Sequence, residues 1–189
     1  MRETTIERKA NGVEISLFLN LDERGENKIS TGIGFFDHML TVFAFHAGIT
    51  FNLSCKLNSA VNGDDIVEQI GIAVGQAVST ALGERRKINR YGDCFLPMDE
   101  TLAHCVIDIS GKPYLVFNMN NFLNPKKKAG EFDGELAEKF FRAFVLSSGI
   151  TLHLSMEYGE NTHHMIEALF KGFGRAFRDA ATIARRAFL

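Results

Sequence analysis

A chain of 189 residues holds enough apolar material for one good-sized domain or two small fused ones, and 46% hydrophobic with 23% charged residues is a soluble globular composition. A net charge of −2 supplies no basic field for nucleic acid or a membrane surface. Cys55, Cys94 and Cys105 lack C-x-x-C spacing, and no apolar run suits a signal peptide or bilayer span, so a reducing cytoplasm is expected.

Val13-Glu-Ile-Ser-Leu-Phe-Leu-Asn-Leu21 alternates apolar and polar residues, which predicts a strand with one buried face. Asp22 to Asn27 turns the chain, and Lys28-Ile-Ser-Thr31 is expected to return as its partner. Gly32-Ile-Gly34 precedes a helix from Phe35 to about Phe45 that Gly48 ends, and Ile49 to Cys55 reads as a strand. A polar loop leads to a second helix with apolar positions Ile66, Ile70, Ala73, Val74, Ala77 and Leu82, closed by Gly83. Leu102–Ile109 and Tyr114–Phe117 are expected to pair as a hairpin through Ser110-Gly111-Lys112-Pro113. A loop from Asn118 to Gly130 carries Lys126-Lys127-Lys128 as a solvated run. A helix over about Glu135 to Leu146, a strand over Gly149 to Ser155 and a long helix from His163 complete the chain.

This order is a duplication, with halves of about 1–92 and 93–189 in a single domain. Gly48-Ile-Thr-Phe-Asn-Leu-Ser54 matches Gly149-Ile-Thr-Leu-His-Leu-Ser155. Ten residues before each Gly lie His38 and Lys139, each within a Phe-bearing helix. Asp64-Asp65-x-x-Glu68 occupies the place of His163-His164-x-x-Glu167.

A helix from His163 brings His163, Glu167 and Lys171 into line at successive turns, with His164 alongside. Two imidazoles and a carboxylate so placed can hold a divalent transition metal, while Asn161, Asp64 and Asp65 also suit ordinary helix capping. Ligand-type residues at equivalent points of two copies favour function over two independent caps. The candidate ligands are His38, Asp64, Asp65, Glu68, His163, His164 and Glu167, a nitrogen–oxygen mixture that suits Mn, Fe or Zn. Arg90, Lys112 and Lys171 are candidate phosphate-binding cations. His46 reads either as a dipole partner at a helix end or as a site residue; His104 and His153 read as core or surface residues.

Thr31-Gly-Ile-Gly-Phe-Phe-Asp-His-Met-Leu40, Arg90-Tyr-Gly with Pro97-Met-Asp-Glu100, Asp108-Ile-Ser-Gly-Lys-Pro-Tyr-Leu115 and Gly159-Glu-Asn-Thr-His-His-Met-Ile-Glu167 together resemble the imidazoleglycerol-phosphate dehydratases of histidine biosynthesis. The resemblance spans nearly the whole chain. It implies an α+β fold of two similar halves, like the second domain of ribosomal protein S5, assembled into a particle of twenty-four subunits. It implies two manganese ions per site held by His and carboxylate ligands between neighbouring subunits. The implied reaction is loss of water from imidazole glycerol phosphate to give imidazole acetol phosphate. Glu167, His46 and Asp99 are the implied catalytic residues, and Arg90, Lys112 and Lys171 the implied phosphate clamp.

Asp64-Asp65 stands where the family carries His-His, and Gly12 where it carries a proton-transfer Glu. Lys112 replaces an Arg, Lys139 occupies a position often filled by His, and the sequence ends at Arg185-Arg-Ala-Phe-Leu189 without the family's Ser-Thr-Lys-Gly segment. Asp also ligates Mn, so oxygen can stand in for nitrogen. Two readings follow: a metal-dependent dehydratase, and a catalytically degenerate metal-binding homologue with the same fold and assembly. The acidic balance disfavours a nucleic-acid module built on the S5 analogy.

Overall fold

The computed structural model describes residues 1–58, 61–119, 132 and 134–184. The Lys126-Lys127-Lys128 run and the terminal Arg185 to Leu189 lie outside these. Elements run β1 (Glu3–Ala10), β2 (Val13–Asn20), β3 (Ile29–Ser30), α1 (Gly34–Ala47), β4 (Thr50–Leu57) and α2 (Gly63–Leu82). The same order then recurs as β5 (Tyr91–Met98), β6 (Thr101–Asp108), β7 (Tyr114–Asn118), α3 (Gly134–Ser148), β8 (Thr151–Tyr158) and α4 (Thr162–Ala181). The duplication expected from the sequence therefore extends to every described element.

Each half builds one four-stranded sheet, ordered β1-β2-β4-β3 and β5-β6-β8-β7. β1 and β2 form a hairpin whose two turn residues, Asn11 and Gly12, both have positive φ (50° and 76°), the backbone demanded by a tight two-residue connection. The structure corrects two expected pairings. β3 does not return onto β2 but lies parallel to β4, and β7 lies parallel to β8 rather than closing a hairpin with β6. In both cases a helix separates the paired strands in sequence, and a helical crossover leaves its two strands parallel.

Val13, Ile15, Leu17 and Leu19 of β2, and Ala103, Cys105 and Ile107 of β6, turn inward. α2 covers its own sheet and packs on α3, while α4 covers its own sheet and packs on α1. Both cross-packings need a glycine at the same point. A Cβ on Gly75 would lie 2.6 Å from the Phe144 carbonyl oxygen, and one on Gly174 would lie 2.7 Å from that of Phe43. Around these crossings Phe36, Phe43, Phe140, Phe141, Phe170 and Phe173 are fully buried, with Phe43 stacked on Phe173 at 4.6 Å. Each such ring contributes about 1.5–3 kcal/mol by leaving water. No helix among the described residues is long and apolar enough to cross a membrane. This packing brings the start of α1 beside the start of α4, where the chemistry gathers.

Candidate active site

Two local devices fix the helix starts. The Thr31 amide and hydroxyl both donate to Asp37 Oδ1, the amide at 2.7 Å, which ties the glycine-rich approach to the first turn of α1 and sets His38. At α4, the Asn161 side chain accepts from the amides of His163 (2.9 Å) and His164 (3.4 Å). Glu100, at the β5–β6 turn, accepts the Asn161 amide at 2.9 Å through one oxygen and pairs with His164 Nδ1 at 2.8 Å through the other.

From this frame His38, His163 and Glu167 converge, with one donor atom from each lying within 4.8 Å of the others. Glu167 Oε2 lies 3.0 Å from His163 Nε2, and Oε1 lies 3.5 Å from His38 Nε2 and 2.8 Å from Lys171 Nζ. The Glu167 side chain is only 8% exposed, whereas those of His38 and His163 are about half exposed (49% and 48%), so a buried carboxylate sits behind two accessible imidazoles. Phe35 meets the His163 ring edge-on at 5.0 Å. Burial raises the Glu167 carboxyl, but Lys171, His163 and His38 outweigh it and hold the group below its ordinary value. An ionised carboxylate and two imidazoles form a donor set for a divalent transition ion.

The remaining expected residues fall into other groups. His164 faces away from this triad toward Glu100, with Asp99 at 3.9 Å. That hydrogen bond raises the His164 imidazole above its ordinary value and lowers Glu100 to about 2. Asp64 pairs with Lys139 Nζ at 2.9 Å, and Glu68 lies 3.9 Å from the same ammonium, which Asp64 holds above its usual range. Asp65 has its amide capped by Asn62 at 2.9 Å. His46 lies at the far end of α1, where burial, then the Lys171, Arg175 and Arg178 charges, push its imidazole down and keep it neutral at pH 7. Arg90 forms a two-pronged pair with Asp108 (2.7 and 3.1 Å), and Lys112 adds a weaker attraction to the same carboxylate. The three candidate phosphate cations therefore form two groups within one chain, Arg90 with Lys112 and Lys171 with Glu167. Gly12 sits at a hairpin tip with φ of 76°, and a Cβ there would meet Val61 Cγ2 at 2.7 Å, so a Glu at this position would be strained.

Glu100 is the residue that sequence reasoning passed over. Its neighbour Asp99 was the expected catalytic group, and its place in Pro97-Met-Asp-Glu100, just before a buried strand, was the available signal.

A family model described as imidazoleglycerol-phosphate dehydratase matches residues 31–177. The imidazoleglycerol-phosphate dehydratase of Exiguobacterium sp. is 48% identical over 182 residues, covering 96% of this chain and 92% of its own length. That of Listeria welshimeri is 48% identical over 183 residues, with 97% and 93% covered. The crystal structure of the Staphylococcus aureus imidazoleglycerol-phosphate dehydratase superposes with a TM-score of 0.85 at 40% identity, covering 96% of this chain and 99% of that one. The expected α+β fold of two similar halves is that of this solved relative. From its motifs to its fold, this chain belongs to the imidazoleglycerol-phosphate dehydratase family.

Proposed function

We propose that the chain is a metal-dependent hydro-lyase that converts imidazole glycerol phosphate to imidazole acetol phosphate, using a manganese-class ion held by His38, His163 and Glu167. One observation carries the metal site: donor atoms from α1 and from two turns of α4 meet within 4.8 Å over a buried carboxylate. Bound there, a divalent ion supplies Lewis acidity that draws electrons from a nitrogen heterocycle.

The chain's own groups supply the rest. Lys171 keeps Glu167 ionised and aimed at the imidazoles. Asp99, with a side chain 77% exposed beside His164, and the neutral His46 are the groups proposed to move protons. Arg90 and Lys112 offer the substrate phosphate two cations, in competition with Asp108. We further propose that the protein is a homo-oligomer of twenty-four copies working in the cytoplasm. Exposed Phe45, Tyr91, Phe95, Leu146 and Tyr158 support association, and three free thiols support a reducing compartment.

The test is turnover of imidazole glycerol phosphate by protein purified without chelators and supplied with Mn2+. Formation of the ketone product, lost on chelation and restored by metal, supports the proposal. Bound metal without product identifies the degenerate homologue instead.

A further inference from the structure

The two halves meet their helix starts with the same geometry and different chemistry. His38 and Lys139 stand ten residues before Gly48 and Gly149, the left-handed residues that follow α1 and α3 (φ 69° in both). Asp64 and Glu68 stand two and six residues after the cap Asn62, as His163 and Glu167 do after Asn161. One contact is shared, His38 with Glu167 in one cluster and Lys139 with Glu68 in the other, and each remaining contact follows the charge of the residues present. At the start of α4 Glu167 meets His163 at 3.0 Å and His38 of α1 at 3.5 Å; at the start of α2 Lys139 of α3 meets Asp64 at 2.9 Å and Glu68 at 3.9 Å.

We propose that Lys139 takes the place of a metal ion in the cluster at the start of α2, so that each chain takes up one divalent ion, at His38, His163 and Glu167, and carries a permanent side-chain cation at the twin position. This rests on the metal site proposed above.

An ammonium has three N–H donors and no lone pair, so the residue equivalent to His38 cannot serve as a ligand. It already sits against the two carboxylates that a dication would need. An incoming ion must break that pairing and leave the ammonium beside it, like charge against like. The cluster at the start of α4 also contains a lysine, but differently placed. Lys171 approaches Glu167 from one turn further along α4, leaving both imidazole faces half exposed, and its counterpart on α2 is the apolar Ile72. One lysine braces the ligand carboxylate; the other fills the third ligand position.

The experiment measures metal per chain on the full-length protein after Mn2+ loading and desalting, by elemental analysis against protein concentration. Three proteins are compared: the wild type, Glu167→Gln, and the double variant Lys139→His with Asp64→His, which installs two imidazoles opposite Glu68. Circular dichroism and elution volume verify that each is folded. The expected values are about one ion per chain for the wild type, none for Glu167→Gln, and a twofold rise over wild type for the double variant. Two ions per wild-type chain would overturn this inference and leave the proposed function standing, whereas none would overturn both. A folded double variant that stays at one ion would show that Lys139 and Asp64 are not what blocks the twin site. Should that variant not fold, the single Lys139→Gln variant replaces it: added uptake at high Mn2+ supports the inference, and unchanged uptake contradicts it.

Discussion

α2 and α4 begin in nearly the same way and finish as different chemistry. Both follow an asparagine whose side chain caps the first turn, both carry a glutamate six residues after that cap, and both need a glycine where they cross the helix of the other half. At α4 the glutamate is buried beneath two imidazoles; at α2 it is half exposed and faces an ammonium. What the duplication retains is backbone geometry, because caps and close helix crossings tolerate few residue types. What has diverged are side chains on the accessible rim, where a ligand can change without disturbing the core.

The largest expected effect comes from removing the element that makes the second half distinctive. Glu167→Gln keeps the shape and loses the charge, so catalytic rate should fall by more than the roughly 10–100-fold typical of groups that merely support a metal ligand. A steady-state assay across Mn2+ concentrations checks this, and the equivalent Glu68→Gln should cost far less. Lys171→Met comes next. Glu167 lies below its ordinary value, so its ion pairing stabilises the fold above the unfolded carboxylate pKa, and that contribution fades as pH falls through the folded value. Metal-free Lys171→Met should therefore lose about 1–3 kcal/mol near neutral pH and approach the wild type in acid, as read by urea unfolding across pH.

Two further substitutions probe what the halves share. Gly75→Ala and Gly174→Ala each force a Cβ against a carbonyl oxygen of the crossing helix, and each should cost about 1–3 kcal/mol by thermal unfolding. Unequal losses would show that the two crossings are not equivalent. The smallest effect is electrostatic. Glu100→Gln removes the carboxylate that raises His164, so the His164 titration, followed by NMR of its ring protons in metal-free protein, should fall toward the ordinary histidine value. In the wild type the pairing favours the fold below the unfolded histidine pKa and is lost as pH rises through the raised value.

Much of this contrast was legible in the sequence because it is written in local signals. Gly48 and Gly83 mark helix ends, the inward alternation of β2 marks a buried strand, and His163, Glu167 and Lys171 fall in line along one helix. β1 escaped notice because Thr4, Ile6, Arg8 and Ala10 form a weakly apolar edge-strand face. β5 escaped because its inward residues are Gly92, Cys94 and Leu96, with Pro97 tolerated on an edge strand. The parallel pairing of β3 and β7 depends on where a helix returns the chain, and no local pattern reports that. The same holds for the site. The line within α4 was readable, but the partnership of Glu100 with His164 spans 64 residues and that of Lys139 with Asp64 spans 75, so only the folded chain reveals them.

Metal entry at the triad shared by α1 and α4 is tested most directly by an anomalous-difference map from Mn-soaked crystals. It predicts a strong peak bounded by His38, His163 and Glu167, with Lys139 still paired to Asp64 and no peak beside them. A peak at Asp64 and Glu68 with Lys139 swung away, or none at the triad, would contradict it.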